Sequence, residues 1–129
     1  MLFVCIQNAG RSQIAAALFR SLGGDGRSAG TRPADLIHPH VADALAERGH
    51  DISAIVPRKL TIDDAEWADR VVTMGCGDEC PVTGKPTEDW KLPDPKEMHG
   101  FELESLIDEI EVRVAELTTR MRRDVVGQT

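Results

Sequence analysis

The stretch Leu2-Phe3-Val4-Cys5-Ile6-Gln7-Asn8-Ala9-Gly10-Arg11-Ser12-Gln13-Ile14 decides the fold. Leu2 to Cys5 is an apolar run that starts almost at the first residue, as a short buried strand does. Ile14, Ala15, Leu18 and Leu22 then recur at helical spacing, and Gly23-Gly24 supplies the stop. Strand, short loop and helix follow one another directly. A loop in that position can curl so that successive N–H groups point inward as an anion nest, with the positive end of the helix behind it.

The pattern repeats outward. Arg27 to Gly30 reads as a second strand, and Thr31-Arg32-Pro33 as a turn. Pro39 opens a helix marked by Val41, Ala44 and Leu45, and Gly49 closes it. A short helix is expected over Thr61 to Trp67, with Thr61 as N-cap and Asp63 and Asp64 in its first turn. Arg70 to Met74 reads as a third strand, and Asp89 to Leu92 as a short last one inside a long Gly- and Pro-rich loop region from Gly75 to Gly100. A final helix carries Leu103, Leu106, Ile107, Ile110, Val114, Leu117 and Met121 on one face. Strands alternating with helices imply an α/β fold, a parallel sheet between helical layers in a three-layer αβα arrangement. Ligands in such sheets sit outside the carboxyl ends of the strands, where the Cys5 loop lies.

The bulk numbers fit one domain over 1–129, with 41% hydrophobic and 29% charged residues. A net charge of −7 disfavours nucleic acid as a partner. The basic run Arg120 to Arg123 reads as complementing the C-terminal end of the last helix. No apolar run approaches a membrane span, and Met1 to Val4 makes no signal peptide, so the chain is read as cytoplasmic with no membrane partner. Three cysteines in such a compartment suggest thiol chemistry or metal before structural disulfides.

Cys5 and Arg11 stand six positions apart, a spacing that composition alone produces often; Ser12 and the strand–loop–helix context make it specific. Arg11 offers a planar fork to two oxygens of a tetrahedral anion, and the backbone of Ile6, Gln7, Asn8, Ala9 and Gly10 would cradle the rest. The same field favours thiolate over thiol at Cys5, and Ser12 can donate a hydrogen bond to the sulfur. Against this stands Cys5 as a small buried residue at a strand end, and Arg11 as a strand cap or a partner of a surface carboxylate. Asn8 tolerates a left-handed backbone, so bending the loop is as good an account of it as touching a ligand.

Together with Leu2-Phe3-Val4-Cys5, Asn8 and Arg11-Ser12-Gln13, the segments Ser28-Ala29-Gly30, Asp51-Ile52-Ser53, Asp69-Arg70-Val71-Val72-Thr73-Met74 and Asp94-Pro95 carry a resemblance. The chain resembles the low-molecular-weight protein tyrosine phosphatase superfamily, and within it the thioredoxin-coupled arsenate reductases. The resemblance implies a four-stranded parallel sheet, a Cys-x5-Arg oxyanion loop, and Asp94 as a catalytic acid. It also implies a three-cysteine relay with no cofactor. Cys5 would attack arsenate, Cys76 would attack Cys5 and release arsenite, and Cys80 would attack Cys76.

Cys76 and Cys80, with Gly77, Asp78 and Glu79 between them, can approach within the Cα limit of about 7 Å for a disulfide. Family members usually have a longer gap there. Gln7 stands where a glycine is common, and Ala16 where potassium-binding members have a glutamate. A zinc site is the alternative for the pair, but no further Cys or His lies at finger spacing, so no metal is expected. Asp94 reads equally as a turn residue before Pro95. His38, His40, His50 and His99 share no metal spacing and read as caps and surface residues. Trp67 and Trp90 read as packing residues, with Trp90 also a candidate for the site rim. The partners implied are arsenate or a phosphate-like oxyanion, and thioredoxin or a mycothiol or glutathione system acting through a glutaredoxin-like protein. Two other functions use the same residues: phosphomonoester hydrolysis through a phosphocysteine, and an anion-binding or phosphocarrier module with Cys5 as acceptor. Lys96-Glu97 after Asp-Pro, in place of aromatic residues, weighs against a phenyl phosphate substrate.

Overall fold

The computed structural model describes residues 1–127, with side chains through Arg123. Four strands, β1 (Leu2–Cys5), β2 (Arg27–Gly30), β3 (Val71–Thr73) and β4 (Thr87–Asp89), form one parallel sheet in the order β2-β1-β3-β4. Helices α1 (Arg11–Ser21), α2 (Pro39–Glu47), α3 (Ile62–Trp67) and α4 (Gly100–Gly127) flank it. This is the three-layer αβα arrangement that the alternation of elements implied.

β1 sits centrally, and its side chains alternate between two cores. Phe3 and Cys5 join residues of α1, α2 and α4 on one face, whereas Leu2 and Val4 join Ala29, Ala68 and Val71 on the other. A strand buried on both faces has no polar alternation, which is why the sequence shows a continuous apolar run. α4 packs Leu103, Leu106, Ile107, Ile110, Val114 and Leu117 inward at helical spacing.

Two expectations are corrected. The last strand is Thr87–Asp89, not Asp89 to Leu92; it pairs with β3 in the register Val71↔Thr87 and Thr73↔Asp89. The apolar residues that suggested a strand, Trp90 and Leu92, are buried core side chains just beyond it. Pairing here is made by the backbone of polar residues, so strand propensity pointed two residues too far along. The basic run Arg120 to Arg123 does not end α4, which continues to Gly127; Arg120 instead forms an ion pair with Glu88 at 2.9 Å.

α3 bears on the site from a distance. Thr61 and Asp64 form a capping box, and the Asp64 carboxylate, only 1% exposed, also receives Arg58. That fixes the segment whose Arg58 carbonyl and Leu60 N–H bond to Gly30. Burial pushes the Asp64 carboxyl up, but hydrogen bonds from Arg58 and Thr61 outweigh it and hold it below the ordinary 3.8. Because the folded value is the lower one, this contribution is complete above 3.8 and is lost as pH falls through the folded value. Thr61→Ala is expected to cost about 1 kcal/mol and Asp64→Asn about 2 kcal/mol. In urea melts at pH 7 and pH 3, the difference between wild type and Asp64→Asn should shrink at the lower pH.

Candidate active site

The loop from Ile6 to Gly10 leaves the carboxyl end of β1 and enters α1 with no side chain capping the helix. Its carbonyl groups are all engaged from outside. Cys5, Ile6, Gln7 and Ala9 carbonyls accept the N–H groups of Thr31, Arg32, Ala34 and His38 at 2.8 to 3.2 Å. The Asn8 carbonyl accepts Gln13 Nε2 at 3.0 Å, and the Gly10 carbonyl accepts Ile14 N–H. With the carbonyls turned outward, the N–H groups turn in. Those of Gln7, Ala9, Gly10 and Arg11 make no hydrogen bond among the described residues, and that of Asn8 donates to Cys5 Sγ at 3.2 Å. This is a nest of donors at a helix N-terminus, an arrangement that can hold an anion.

Asn8 makes the turn possible and also wires it. Its backbone takes φ +52°, a left-handed conformation that Asn adopts more readily than other side chains. Its Oδ1 accepts from Gln13 Nε2 at 3.0 Å and Arg58 N–H at 3.1 Å, so Nδ2 is free to donate to Ser12 Oγ at 2.7 Å. Ser12 Oγ lies 2.9 Å from Cys5 Sγ. Toward a Cys5 thiolate, which can only accept, the hydroxyl gives its own proton. A chain of donors thus runs from Gln13 through Asn8 and Ser12 to Cys5, whose side chain is in the core at 2% exposure.

Arg11 is buried, and its Nη1 donates to the Leu92 carbonyl at 2.9 Å. Gly75 lies against this guanidinium; a Cβ there would overlap Arg11 Nη1, and its φ of +76° suits glycine alone. The next residue, Cys76, is 4% exposed and disulfide-bonded to the half-buried Cys80, with Cα atoms 5.1 Å apart. Cys5 is free. Asp94 is exposed, its Oδ1 accepts Lys96 N–H at 3.0 Å, and it begins the short 3-10 turn Pro95–Glu97. Pro95 seats that turn on the oxyanion loop: a Cβ at Gly10 would stand 2.6 Å from Pro95 Cγ. Cys5, Ser12, Arg11, Cys76 and the Asp94 turn therefore gather at one end of the sheet.

Four contributors were not singled out as site residues by sequence. Gln13, buried on α1, and Arg58, fifty residues from Asn8, brace the loop. A glutamine on an otherwise apolar helix face was the available signal for the first; nothing local marked the second. His38, which is the α2 N-cap residue as read, and His40 also cluster with His99 beside Asp94-Pro95. Burial pushes the His38 imidazolium down, and the Asp94 carboxylate opposes this. Trp90 is a core residue against Phe3, and Trp67 packs under Arg27 at 3.9 Å. No group of His, Cys, Asp and Glu among the described residues is placed to hold a metal ion.

The family described as low molecular weight phosphotyrosine protein phosphatase matches residues 1–127. The chain belongs to this family. A putative arsenate reductase of Halobacterium salinarum is 36% identical over 132 residues, covering 95% of this chain and 92% of that protein. The structure of a Corynebacterium glutamicum thioredoxin-dependent arsenate reductase is 44% identical, with a TM-score of 0.82; the match covers 95% of this chain but 61% of that one. An Archaeoglobus fulgidus arsenate reductase structure is 34% identical, with a TM-score of 0.77, over 90% of this chain and 96% of that one. This low molecular weight phosphatase family member carries a donor-lined loop at Cys5 together with a cysteine pair.

The donor chain has a measurable consequence. Ser12→Ala removes one hydrogen bond to the sulfur and should slow iodoacetamide alkylation of Cys5 at neutral pH about tenfold, as one bond to a charged group is worth about 1.5 kcal/mol. Phosphate should protect Cys5 in both proteins. An unaltered rate would mean that Ser12 does not serve the sulfur.

Proposed function

We propose that this chain reduces arsenate to arsenite through Cys5, using Cys76 and Cys80 as a thiol relay. The observation that carries the reading is a donor-lined thiol loop whose Arg11 lies against Gly75, the residue before a cysteine pair, Cys76 and Cys80, close enough to bond to each other. The arsenate reductase relatives support it.

In the first step the Cys5 thiolate forms a bond to arsenic(V) while the loop N–H groups and Arg11 hold the remaining oxygens. One oxygen leaves as water, taking a proton from Asp94. Cys76 thiolate then attacks Cys5 Sγ; the sulfur–arsenic bonding pair stays on arsenic, which departs as arsenite(III). Cys80 thiolate attacks Cys76 Sγ and returns Cys5 as thiolate. Arsenic gains the two electrons that the Cys76–Cys80 pair loses. A dithiol reductant, thioredoxin or a mycothiol or glutathione system with a glutaredoxin-like protein, restores the pair. No described helix is long and apolar enough to cross a membrane. The reducing cytoplasm is the compartment that this cycle needs.

The family itself favours a second reading, hydrolysis of a phosphomonoester through a phosphocysteine with the same Cys5, Arg11 and Asp94. It leaves Cys76 and Cys80 without a task.

Two cysteine variants separate the readings, and a third tests the Asp94 role that both share. Under arsenate, Cys80→Ser should accumulate a Cys5–Cys76 disulfide after one turnover, and Cys76→Ser should form no productive disulfide; peptide mapping with arsenate-free controls identifies each state. Sustained turnover by both would eliminate the relay. Asp94→Asn should lower turnover by about 10² to 10⁴ and leave oxyanion protection of Cys5 intact.

A further inference from the structure

The segment that carries Asp94 is tied down at both ends. Before it, Arg11 Nη1 donates to the Leu92 carbonyl at 2.9 Å. After it, His40 Nε2 lies 2.8 Å from the Pro95 carbonyl oxygen. A carbonyl offers only lone pairs, so His40 donates, and its neutral form carries the proton on Nε2.

We propose that His40 is a positioning residue which, by holding the Pro95 carbonyl, keeps the Asp94 carboxyl in register with the oxyanion loop. The inference rests on the reading of Asp94 as proton donor. Asp94 Oδ1 is spent on Lys96 N–H, which leaves its second oxygen to carry a proton. Where that oxygen points is set by the turn, and the turn is seated by Pro95 on Gly10. Losing the hydrogen bond to Pro95 would let the turn lift from Gly10 and carry Asp94 with it.

The neighbours of His40 restrain its ring. His38 stacks with it at 5.7 Å and 21°, and His99 lies against it at 4.8 Å and 38°. His38 comes from the α2 N-cap and His99 from the residue before α4, so three elements meet at the middle imidazole. The charged groups that act on His38 are Asp94, Lys96 and Glu97, all on the turn being held. A protonated His40 would still donate from Nε2, so the contact does not depend on titration of that ring.

The test is a double-mutant cycle with an independent structural readout. His40→Ala should lower kcat for arsenate about tenfold with KM within about twofold, and His40→Gln, whose amide supplies an N–H of similar reach, should recover most of the loss. In an Asp94→Asn background, His40→Ala should cost nothing further. A tenfold loss repeated in that background, or no rescue by glutamine, overturns the proposal. By NMR, the amide resonances of Asp94, Lys96 and Glu97 should move in His40→Ala and stay in place in His50→Ala; unmoved resonances also overturn it. If Asp94→Asn alone leaves turnover unchanged, the proton-donor reading of Asp94 falls, and the proposal falls with it even where the resonances move.

Discussion

The backbone from Cys5 to Gly10 can present donors to an anion only because every carbonyl in it is satisfied from outside. A peptide group has a donor at one end and an acceptor at the other, and a buried acceptor left unpaired costs about 1–3 kcal/mol. The segment Thr31 to His38 pairs four of these carbonyls, Gln13 a fifth and α1 itself the sixth. Asn8 is the residue on which this arrangement turns. Glycine would permit its positive φ but would supply no bond to Ser12. Aspartate would accept from Gln13 and Arg58 but would have no proton to donate when ionised. Only an amide meets both demands at that backbone angle.

The strand beneath the loop explains where the sulfur stands. β1 is central, with both neighbours bonded in parallel, so its residues alternate strictly between the two cores. Cys5 shares the face of Phe3, toward α1, which brings its sulfur under the helix N-terminus and within reach of Ser12. A shift of one residue would turn it toward α3. The opposite face contributes through Asp64, whose capping box and ion pair secure the segment carrying the Arg58 N–H to Asn8. A helix of six residues on the far side of the sheet thereby takes part in shaping the thiol site.

Most of the architecture was legible in the sequence because strand, loop and helix follow without interruption and each is marked by its own period. Cys5, Arg11 and Ser12 were legible for the same reason: they lie on one local unit whose geometry the chain order dictates. β4 was misplaced because an edge strand of Thr87, Glu88 and Asp89 pairs through its backbone and buries little, whereas the apolar signal belongs to Trp90 and Leu92 beyond it. Arg58 and the histidine cluster were not legible. Their roles depend on contacts across fifty or more residues, such as Arg58 to Asn8 and His40 to Pro95, and no local period encodes those.

The two halves of the proposed cycle make opposite demands on stiffness, and the two loops differ accordingly. The Cys5 loop is buried from Asn8 to Gln13, and its carbonyls and the Asn8 side chain are paired. The loop carrying Cys76 and Cys80 exposes Gly75, Gly77, Asp78, Glu79 and Val82, and takes positive φ at Gly75 and Gly77. What ties it to the cradle's outer segment is the pair Arg32–Glu79 at 3.0 Å, an exposed ion pair worth about 1 kcal/mol at most. In the disulfide form the Cys76 sulfur is bonded to Cys80, so it can serve as a nucleophile toward Cys5 only after the pair is reduced. A weak surface tie on a glycine-rich loop, set against a buried cradle whose carbonyls are all paired, leaves the relay side the less restrained of the two.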